Sequence, residues 1–257
     1  MEATATTGAR KRLGYGLYSW LVLVAVSIPA LLLLLVTPGR PTRRRITRFF
    51  ARAFFLLTAT PVRVEGAPRL PRRPCVVIAN HASYLDGIAL TAALPPNFTF
   101  VVKKEMASTP FAGFLLRRIG SEFVDRRSDN HRHNAARRLF KAAGTGDSLA
   151  FFPEGTFTKE PGLRPFKLGA FAAAWRGRLP LLPVVIRGAR RKLPANTWLP
   201  APGPIAITIC PPIASDDHQS AASLMAAARA AMLSELDEPD LGLLDASADP
   251  APLAVDP

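Results

Sequence analysis

Cysteine and histidine are scarce in this sequence, with two and four residues respectively among 257. Cys75 and Cys210 both fall in predicted strands, so we interpret them as small core residues and not as a disulfide bridge. His131 and His133 stand two positions apart on a predicted helix and point to different faces, which is a poor geometry for zinc. A Gly-x-Ser-x-Gly segment is also absent, which excludes the serine nucleophile that such a turn carries. Neither a metal site nor a covalent serine mechanism is therefore expected.

Acidic residues are few, and the net charge of +14 is unevenly distributed. Residues 1–60 carry +8 and residues 61–234 carry +13, whereas residues 235–257 contain no basic residue and carry −7. A basic body suits either nucleic acid or the anionic face of a membrane. The arginines are not interleaved with aromatic residues, and zinc-finger or helix-turn-helix spacing is absent, so no nucleic acid partner is expected.

A long uncharged stretch near the N-terminus favours the membrane. Leu13 to Val36 are 24 consecutive residues without a charged side chain. A helix of that length, rising about 1.5 Å per residue, can span the hydrocarbon core. We interpret the stretch as an uncleaved membrane anchor, because a signal peptide has a shorter apolar region and a small-residue cleavage site. Pro29 leaves open whether the helix crosses the bilayer or re-enters on the same side.

The basic residues that flank this stretch predict its orientation. Five arginines lie between Arg40 and Arg48, whereas three basic residues precede the stretch, so the main domain is predicted on the cytoplasmic face. Residues 46–57 then repeat apolar side chains at helical spacing, with arginines elsewhere on the wheel (Arg44, Arg45, Arg48 and Arg52). This pattern predicts a basic amphipathic helix at the membrane interface. The alternative is an ordinary helix that packs on the core of the domain.

Strand and helix patterns alternate from Val62 onward. The predicted strands are 75–79, 98–103, 121–124, 148–152, 181–186 and 205–210. The predicted helices are 84–94, 108–119, 129–143, 166–176 and 220–236. This alternation predicts an α/β fold with a layered, mostly parallel sheet flanked by helices, behind an N-terminal membrane-anchoring helical segment. We therefore divide the chain into the anchor with its amphipathic helix (1–60), the α/β domain (61–237) and an acidic tail predicted to be disordered (238–257).

The stretch from Asn80 to Gly87 lies between a predicted buried strand and a predicted helix, the usual place for a site in an open α/β sheet. The imidazole of His81 can take a proton from an alcohol near neutral pH. The carboxylate of Asp86 can accept the other ring N–H and stabilise the imidazolium that forms. Without a serine or cysteine nucleophile, the pair indicates direct attack by a hydroxyl of the substrate. The alternative is a helix-capping His81 with Asp86 on the surface.

A second polar turn, Phe151 to Thr156, follows the strand at 148–152. Gly155 allows backbone N–H groups to approach a ligand or an oxyanion closely, and Glu154 is a candidate for holding hydroxyl groups of the substrate. A plain tight turn is the alternative interpretation.

Basic residues also follow several predicted strands or begin a helix. Lys103 and Lys104 end one strand, Arg126 and Arg127 follow another, and Lys167 stands at a predicted helix start, where cations and backbone N–H groups attract phosphate. Together with the acid–base pair and the anchor, these cations point to a lipid that carries a phosphate and a free hydroxyl.

At this point the sequence resembles the phospholipid/glycerol acyltransferases, in particular the 1-acylglycerol-3-phosphate (lysophosphatidate) acyltransferases. Asn80–Asp86 is similar to their N-H-x4-D block, and Gly120–Arg126 to a block whose strand ends in Asp-Arg. Phe152–Thr156 resembles the third block, Leu182–Val185 the short fourth block, and Pro165–Ala170 the segment after the third. The resemblance covers about residues 62–212.

The resemblance implies transfer of a fatty acyl group from acyl-CoA or acyl-carrier protein to the hydroxyl of a lysophospholipid at a membrane, without a further cofactor. The first acceptor it implies is 1-acylglycerol-3-phosphate, which would give phosphatidate. His81 would be the general base and Asp86 its orienting partner. The implied substrate-binding residues are Lys104, Arg126, Glu154, Gly155, Thr156 and Lys167.

One departure from the family pattern concerns the acceptor. Phe157-Thr158 stands where the family commonly has Arg-Ser, so a phosphate contact is lost there or moved to Lys159, Arg164 or Lys167. The headgroup is therefore open, and a lyso-ornithine lipid or another lysolipid is an alternative acceptor. A non-catalytic, membrane-anchored lipid-binding protein is the alternative from another functional class.

Overall fold

The computed structural model describes residues 2–124 and 146–242, with side chains from residue 10 onward. Within these residues, seven strands form one sheet in the order β1-β7-β6-β2-β5-β3-β4. The strands are β1 (Val62–Glu65), β2 (Val76–Ala79), β3 (Phe98–Lys103), β4 (Glu122–Val124), β5 (Ser148–Phe151), β6 (Leu181–Arg187) and β7 (Ile205–Ile209). Five neighbouring strands, β6 to β4 in this order, are parallel. At the other side β7 runs antiparallel to β6, and β1 pairs parallel with β7.

Helices cover both faces of the sheet. They are α1 (Glu2–Val36), α2 (Arg40–Leu57), α3 (Asp86–Ala93), α4 (Ala112–Arg118), α5 (Gly169–Gly177), α6 (Ala189–Lys192) and α7 (Ala221–Leu233), with short 3-10 helices at Ala67–Arg69, Lys104–Ser108 and Ser215–Asp217. Successive side chains of a strand point to opposite faces. Val77 and Ala79 accordingly pack with α1, α2 and α3, whereas Val76 and Ile78 pack with α5 and α7.

The predicted fold class, a mostly parallel α/β sheet flanked by helices, is confirmed. All six predicted strands are present. Strands β2, β5 and β6 are short apolar runs buried between two layers, whereas β4 at the edge of the sheet is only half-buried. Strand β1 was not predicted, since it is short and its side chains are partly exposed at the edge of the sheet. The predicted helix 108–119 begins only at Ala112, because residues 104–108 form a 3-10 helix. The predicted helix 129–143 lies outside the described residues.

Helix α1 packs antiparallel against α2 and is tied to the domain at both ends. The Tyr15 hydroxyl donates to the Thr58 carbonyl at 2.9 Å, near the end of α2. At the other end of α1, Arg118 Nε donates to the Leu34 carbonyl at 2.8 Å. By length and composition, α1 is the helix in the described part of the chain that could cross a membrane, over Arg10–Val36.

Helix α2 buries part of the face that the sequence suggested was basic and exposed. Arg44 is 6% exposed and forms an ion pair with Asp147, with 2.9 Å between Nη1 and Oδ1. Phe54 and Phe55 are buried in the core, whereas Phe49 and other apolar side chains of α2 are exposed. The prediction that Arg44 lies on the exposed face was wrong, because its counter-ion comes from the segment before β5. The face of α2 that contains Arg44, Phe54 and Phe55 therefore packs on the core of the domain, as the alternative interpretation of this helix predicted.

The chain after α7 returns to the domain. Glu238 accepts hydrogen bonds from Arg190, and Arg229 binds the carboxylate of Asp240. The Leu163 N–H also donates to the Pro239 carbonyl at 2.8 Å. The first residues of the predicted tail are therefore packed, since basic side chains of the domain pair with their carboxylates. Disorder stays a prediction for residues 243–257, which lie outside the described residues.

Candidate active site

Three of the predicted site residues, His81, Asp86 and Glu154, meet at the carboxyl edge of the parallel strands. Asn80 anchors the end of β2 to β6: its Nδ2 donates to the Ile186 carbonyl at 2.9 Å, and its Oδ1 accepts the Ile186 N–H at 2.7 Å. This two-point contact joins residues 106 positions apart in the chain. It holds the next residue, His81, at the point where β2 leaves the sheet.

His81 and Asp86 form the predicted pair, with 2.9 Å between Nδ1 and Oδ2. Asp86 Oδ2 also accepts the backbone N–H groups of Ala82 at 2.6 Å and Ser83 at 2.8 Å. Because a carboxylate oxygen can only accept hydrogen bonds, the Nδ1 that contacts Asp86 Oδ2 must carry a proton. Nε2 is then the ring nitrogen that is free to take a proton from a substrate. The Asp86 side chain is fully buried and that of His81 is 21% exposed. The alternative with Asp86 on the helix surface was therefore wrong.

Glu154 braces the turn that follows β5. Its side chain is 4% exposed; Oε1 accepts the His81 N–H at 2.6 Å, and Oε2 accepts the Arg164 N–H at 3.0 Å. Burial raises the pKa of Glu154 to about 7, and these two hydrogen bonds oppose the shift. Both oxygens thus hold the backbone around the site. A direct contact between Glu154 and hydroxyl groups of a substrate stays a prediction.

Gly155 and Thr156 complete this turn. Gly155 has a φ of +76°, a conformation that favours glycine, and its N–H donates to the Phe152 carbonyl at 3.1 Å. That N–H group is therefore used by the turn and not directed at a ligand. The backbone N–H of the exposed Thr156 makes no hydrogen bond to any described residue. It is the better donor for an oxyanion in this segment.

The predicted phosphate-binding cations are placed only in part. Lys167 lies next to the turn, since its backbone N–H donates to the Pro153 carbonyl at 2.9 Å, and its side chain is exposed. Lys104 is exposed directly after β3, at the same edge of the sheet. Arg126 lies outside the described residues. A phosphate-binding role for each of the three stays a prediction.

Aromatic contacts around His81 were missed by the sequence reasoning. The Phe152 ring stacks on the imidazole, with centroids 4.4 Å apart and 23° between planes. The centroid of the Phe157 ring lies 4.5 Å from that of the imidazole, and the Tyr84 and Phe157 rings form a T-shaped pair with centroids 4.8 Å apart. The sequence did contain a signal for these contacts. Phe152 and Phe157 flank Pro153–Thr156, and the turn brings both rings to the imidazole.

A cleft opens beside these rings. Its volume is about 460 Å³, and it is lined by Tyr84, Thr156, Phe157, Thr158, Lys159, Glu160, Ala195 and Asn196. Tyr84 and Phe157 belong both to this cleft and to the aromatic contacts around the imidazole. The cleft is therefore the candidate place for the part of a substrate next to the reacting group.

The loop after β6 connects this site to α1. Ser83 Oγ donates to the Leu193 carbonyl at 2.7 Å. The adjacent Lys192 is 2% exposed, and its ammonium donates to the Tyr15 hydroxyl of α1 and to the Ala201 carbonyl. Two neighbouring residues, Lys192 and Leu193, thus hold different parts of the chain: Leu193 binds the segment that carries His81, and Lys192 binds the N-terminal helix.

Comparisons with known proteins agree with this geometry. A structural search matches the 1-acyl-sn-glycerophosphate (LPA) acyltransferase PlsC from Thermotoga maritima, with a TM-score of 0.75 over 95% of this chain and 99% of that chain. At 21% identity this likeness shows the fold alone. A 1-acyl-sn-glycerol-3-phosphate acyltransferase from Saccharomyces cerevisiae is 34% identical over 142 residues, 54% of this chain and 47% of the relative.

A second curated relative is the lyso-ornithine lipid O-acyltransferase of Pseudomonas aeruginosa. It is 35% identical over 185 residues, which are 71% of this chain and 66% of the relative. The matches thus span about half to two thirds of the length of these two relatives. The family model "Acyltransferase" matches residues 61–187, which contain both His81 and the turn at Glu154. The family resemblance is thereby confirmed: residues 61–187 match the acyltransferase family model.

Proposed function

We propose that this protein is an O-acyltransferase that moves a fatty acyl group from a thioester, acyl-CoA or acyl-carrier protein, to the hydroxyl of a lysolipid. The observation that carries the proposal is the 2.9 Å contact between the partly exposed imidazole of His81 and the buried carboxylate of Asp86. Burying a carboxylate is costly unless it is paired. A protein that only binds lipid has no need for such a pair.

In the proposed mechanism, His81 Nε2 removes the proton of the acceptor hydroxyl while its oxygen attacks the thioester carbonyl. The bond between the acceptor oxygen and the acyl carbon forms, and the bond between the acyl carbon and sulfur breaks. The departing thiolate then takes from His81 the proton that came from the hydroxyl. Asp86 stabilises the intermediate imidazolium. We assign the backbone N–H of Thr156 to the oxyanion, because the N–H of Gly155 is used within its turn. No step requires a metal ion or a cofactor.

The acceptor favoured by the family resemblance is 1-acylglycerol-3-phosphate, whose acylation gives phosphatidate. We propose Lys104, Arg126 and Lys167 as its phosphate contacts. The similarity to a lyso-ornithine lipid O-acyltransferase, together with Phe157, supports a second candidate acceptor. Both candidates present the same chemical group, a lipid hydroxyl, to His81.

An acyl-transfer assay tests the reaction class. The full chain in detergent micelles is incubated with acyl-CoA or acyl-carrier protein, and thiol release and lipid products are measured with and without each acceptor. We expect thiol release that depends on the acceptor and is unchanged by EDTA. Absence of transfer with both donors and all acceptors would contradict the proposal and favour a lipid-binding protein. Loss of activity with EDTA would contradict the metal-free mechanism.

We also propose that α1 lies within one leaflet on the cytoplasmic face and does not cross the bilayer. Both ends of its apolar part contact the α/β domain, through Tyr15 and Leu34, so the helix runs along the domain. Its outward face is apolar and exposed, with Leu17, Leu21, Val24, Ile28, Leu32 and Leu35. Such a face is suited to the boundary between headgroups and acyl chains.

Charges on this face are expected to release the protein from membranes. Leu21 and Leu32 are 67% and 61% exposed, so replacing both by glutamate leaves the core of the fold intact. Each glutamate replaces a leucine whose transfer from water into an apolar layer is worth about 1.5–3 kcal/mol, so we expect the bound fraction in vesicle flotation to fall at least about tenfold. The matched control is Ala222→Glu with Ala226→Glu, which adds the same charge to the exposed face of α7. Equal release of both variants would contradict the placement of α1.

A further inference from the structure

The cleft beside His81 presents aromatic surface where the family pattern places a guanidinium. Phe157 contacts His81 at 4.5 Å and Tyr84 at 4.8 Å between ring centroids. Tyr84 is 56% exposed, so part of its surface is open to the cleft. The faces of such rings attract cations within about 6 Å and offer nothing to a phosphate oxygen.

Among the described residues, the charged side chains that line the cleft balance each other. They are one cation, Lys159, and one carboxylate, Glu160; the other described lining residues are neutral. Hydrogen bonds from its own backbone and from the Thr158 hydroxyl lower the pKa of Glu160, so it is ionised at neutral pH. The cleft therefore has no net charge with which to attract a phosphate monoester, which carries nearly two negative charges.

A guanidinium that contacts the described lining of the cleft does not change this balance. Arg190 donates to the carbonyls of Thr158 and Glu160, at 2.7 and 2.6 Å, and thereby holds the loop that forms one side of the cleft. The same guanidinium is paired with Glu238, with 2.8 Å between Nη2 and Oε2. Its charge is neutralised within the protein and its donors are used.

We propose that this cleft is the headgroup site for a zwitterionic lysolipid. The ammonium group of the lipid lies against the rings of Tyr84 and Phe157 and beside Glu160, and its anionic group is directed to Lys159. The inference rests on the proposed acyl transfer and specifies its acceptor. Two headgroup types share this chemistry: an amino-acid lipid with a free carboxylate, such as lyso-ornithine lipid, and a choline or ethanolamine phosphodiester.

The position of Phe157 makes it a residue that determines specificity. It contacts the catalytic imidazole on one side and lines the headgroup cleft on the other. A lipid whose headgroup is bound in the cleft therefore brings its hydroxyl near His81. A lipid whose headgroup does not bind in the cleft is not aligned in this way, and its kcat/KM is lower.

The experiment measures kcat/KM for lyso-ornithine lipid, lysophosphatidylcholine and lysophosphatidate of equal chain length, with the wild-type protein, Phe157→Arg and Glu160→Gln. We expect wild type to use at least one zwitterionic acceptor about tenfold better than lysophosphatidate. Phe157→Arg should shift the ratio at least about tenfold toward lysophosphatidate. Glu160→Gln, an exposed substitution, should raise KM for the zwitterions and lower it for lysophosphatidate, because the charge of Lys159 is then no longer balanced.

The outcomes separate this inference from the proposed function. Preference for lyso-ornithine lipid alone supports a site for an amino-acid headgroup, and preference for lysophosphatidylcholine supports one for a phosphodiester. A wild-type preference for lysophosphatidate that neither substitution alters would overturn the inference while acyl transfer stands. If no acceptor is used, acyl transfer itself fails. Equilibrium binding of the three lipids to the same variants in mixed micelles then decides the headgroup site.

Discussion

Replacing His81 with alanine is expected to lower kcat for acyl transfer by about 10²–10⁴-fold, the usual contribution of a general base. The imidazole is partly exposed beside the cleft, and its orientation is set by Asp86 at 2.9 Å. Without it, the acceptor hydroxyl has no positioned base, and attack on the thioester must proceed through solvent. The measurement is steady-state thiol release with saturating donor and acceptor.

The control for this substitution is His218→Ala. His218 lies at the end of a 3-10 helix outside the site. Among the described residues its hydrogen bonds use only its backbone: the carbonyl accepts from Trp175 Nε1, and the N–H donates to the Ser215 carbonyl. It should therefore retain wild-type kcat. Circular dichroism and vesicle binding should be unchanged for both variants, since His81 makes no core contact that α1 depends on. A His81→Ala enzyme with wild-type kcat would remove the basis of the proposed mechanism.

Replacing Asp86 with asparagine is expected to lower kcat by up to about 10⁴-fold, as the same exchange does in a serine-protease triad. The cause differs in this protein. Two backbone N–H groups bind Oδ2 together with the imidazole, so the amide oxygen of asparagine must take that position and the Nδ1–H tautomer is retained. What is lost is the negative charge that stabilises the imidazolium.

The same substitution should also reduce stability. Among the described residues, the buried Oδ1 of Asp86 has no hydrogen-bond partner, and the asparagine amide would place two donors there. A buried unsatisfied donor costs about 1–3 kcal/mol, which is measurable as a lower Tm. Ser83→Ala is the matched control: it loses contacts to Leu193 and Leu85 but keeps the carboxylate, so Tm should fall with little change in kcat. Wild-type kcat in Asp86→Asn would show that the charge of Asp86 is not used.

Most of the fold followed from patterns that are local in the chain. The strands β2, β5 and β6 are short apolar runs, and such runs are buried wherever a parallel sheet is covered on both faces. The predicted pairing of His81 with Asp86 was also local, because five residues across a strand-to-helix turn suffice to bring the two side chains together. The ordered set of motifs also indicated the family.

Other features depended on residues that are distant in the chain. The burial of Arg44 requires Asp147, and the placement of His81 requires Ile186, which binds Asn80 across the sheet. Glu154 was predicted to hold hydroxyl groups of the substrate, which stays a prediction, and the structure adds that both its oxygens accept backbone N–H groups, one of them from His81, just after β2. Residue type and spacing cannot specify such partners, since they are chosen by the sheet order.

Phe157 shows, at the site itself, which properties depend on local sequence and which depend on the tertiary fold. Its identity was visible as a departure from the family pattern, and the loss of a phosphate contact was inferred from chemistry alone. Its contacts with His81 and Tyr84 arise only when the turns after β2 and β5, on adjacent strands, meet at one edge of the sheet. Local sequence thus determined which groups carry the chemistry. The tertiary fold decided which surfaces face the substrate, because long-range packing fixes the direction in which each side chain points.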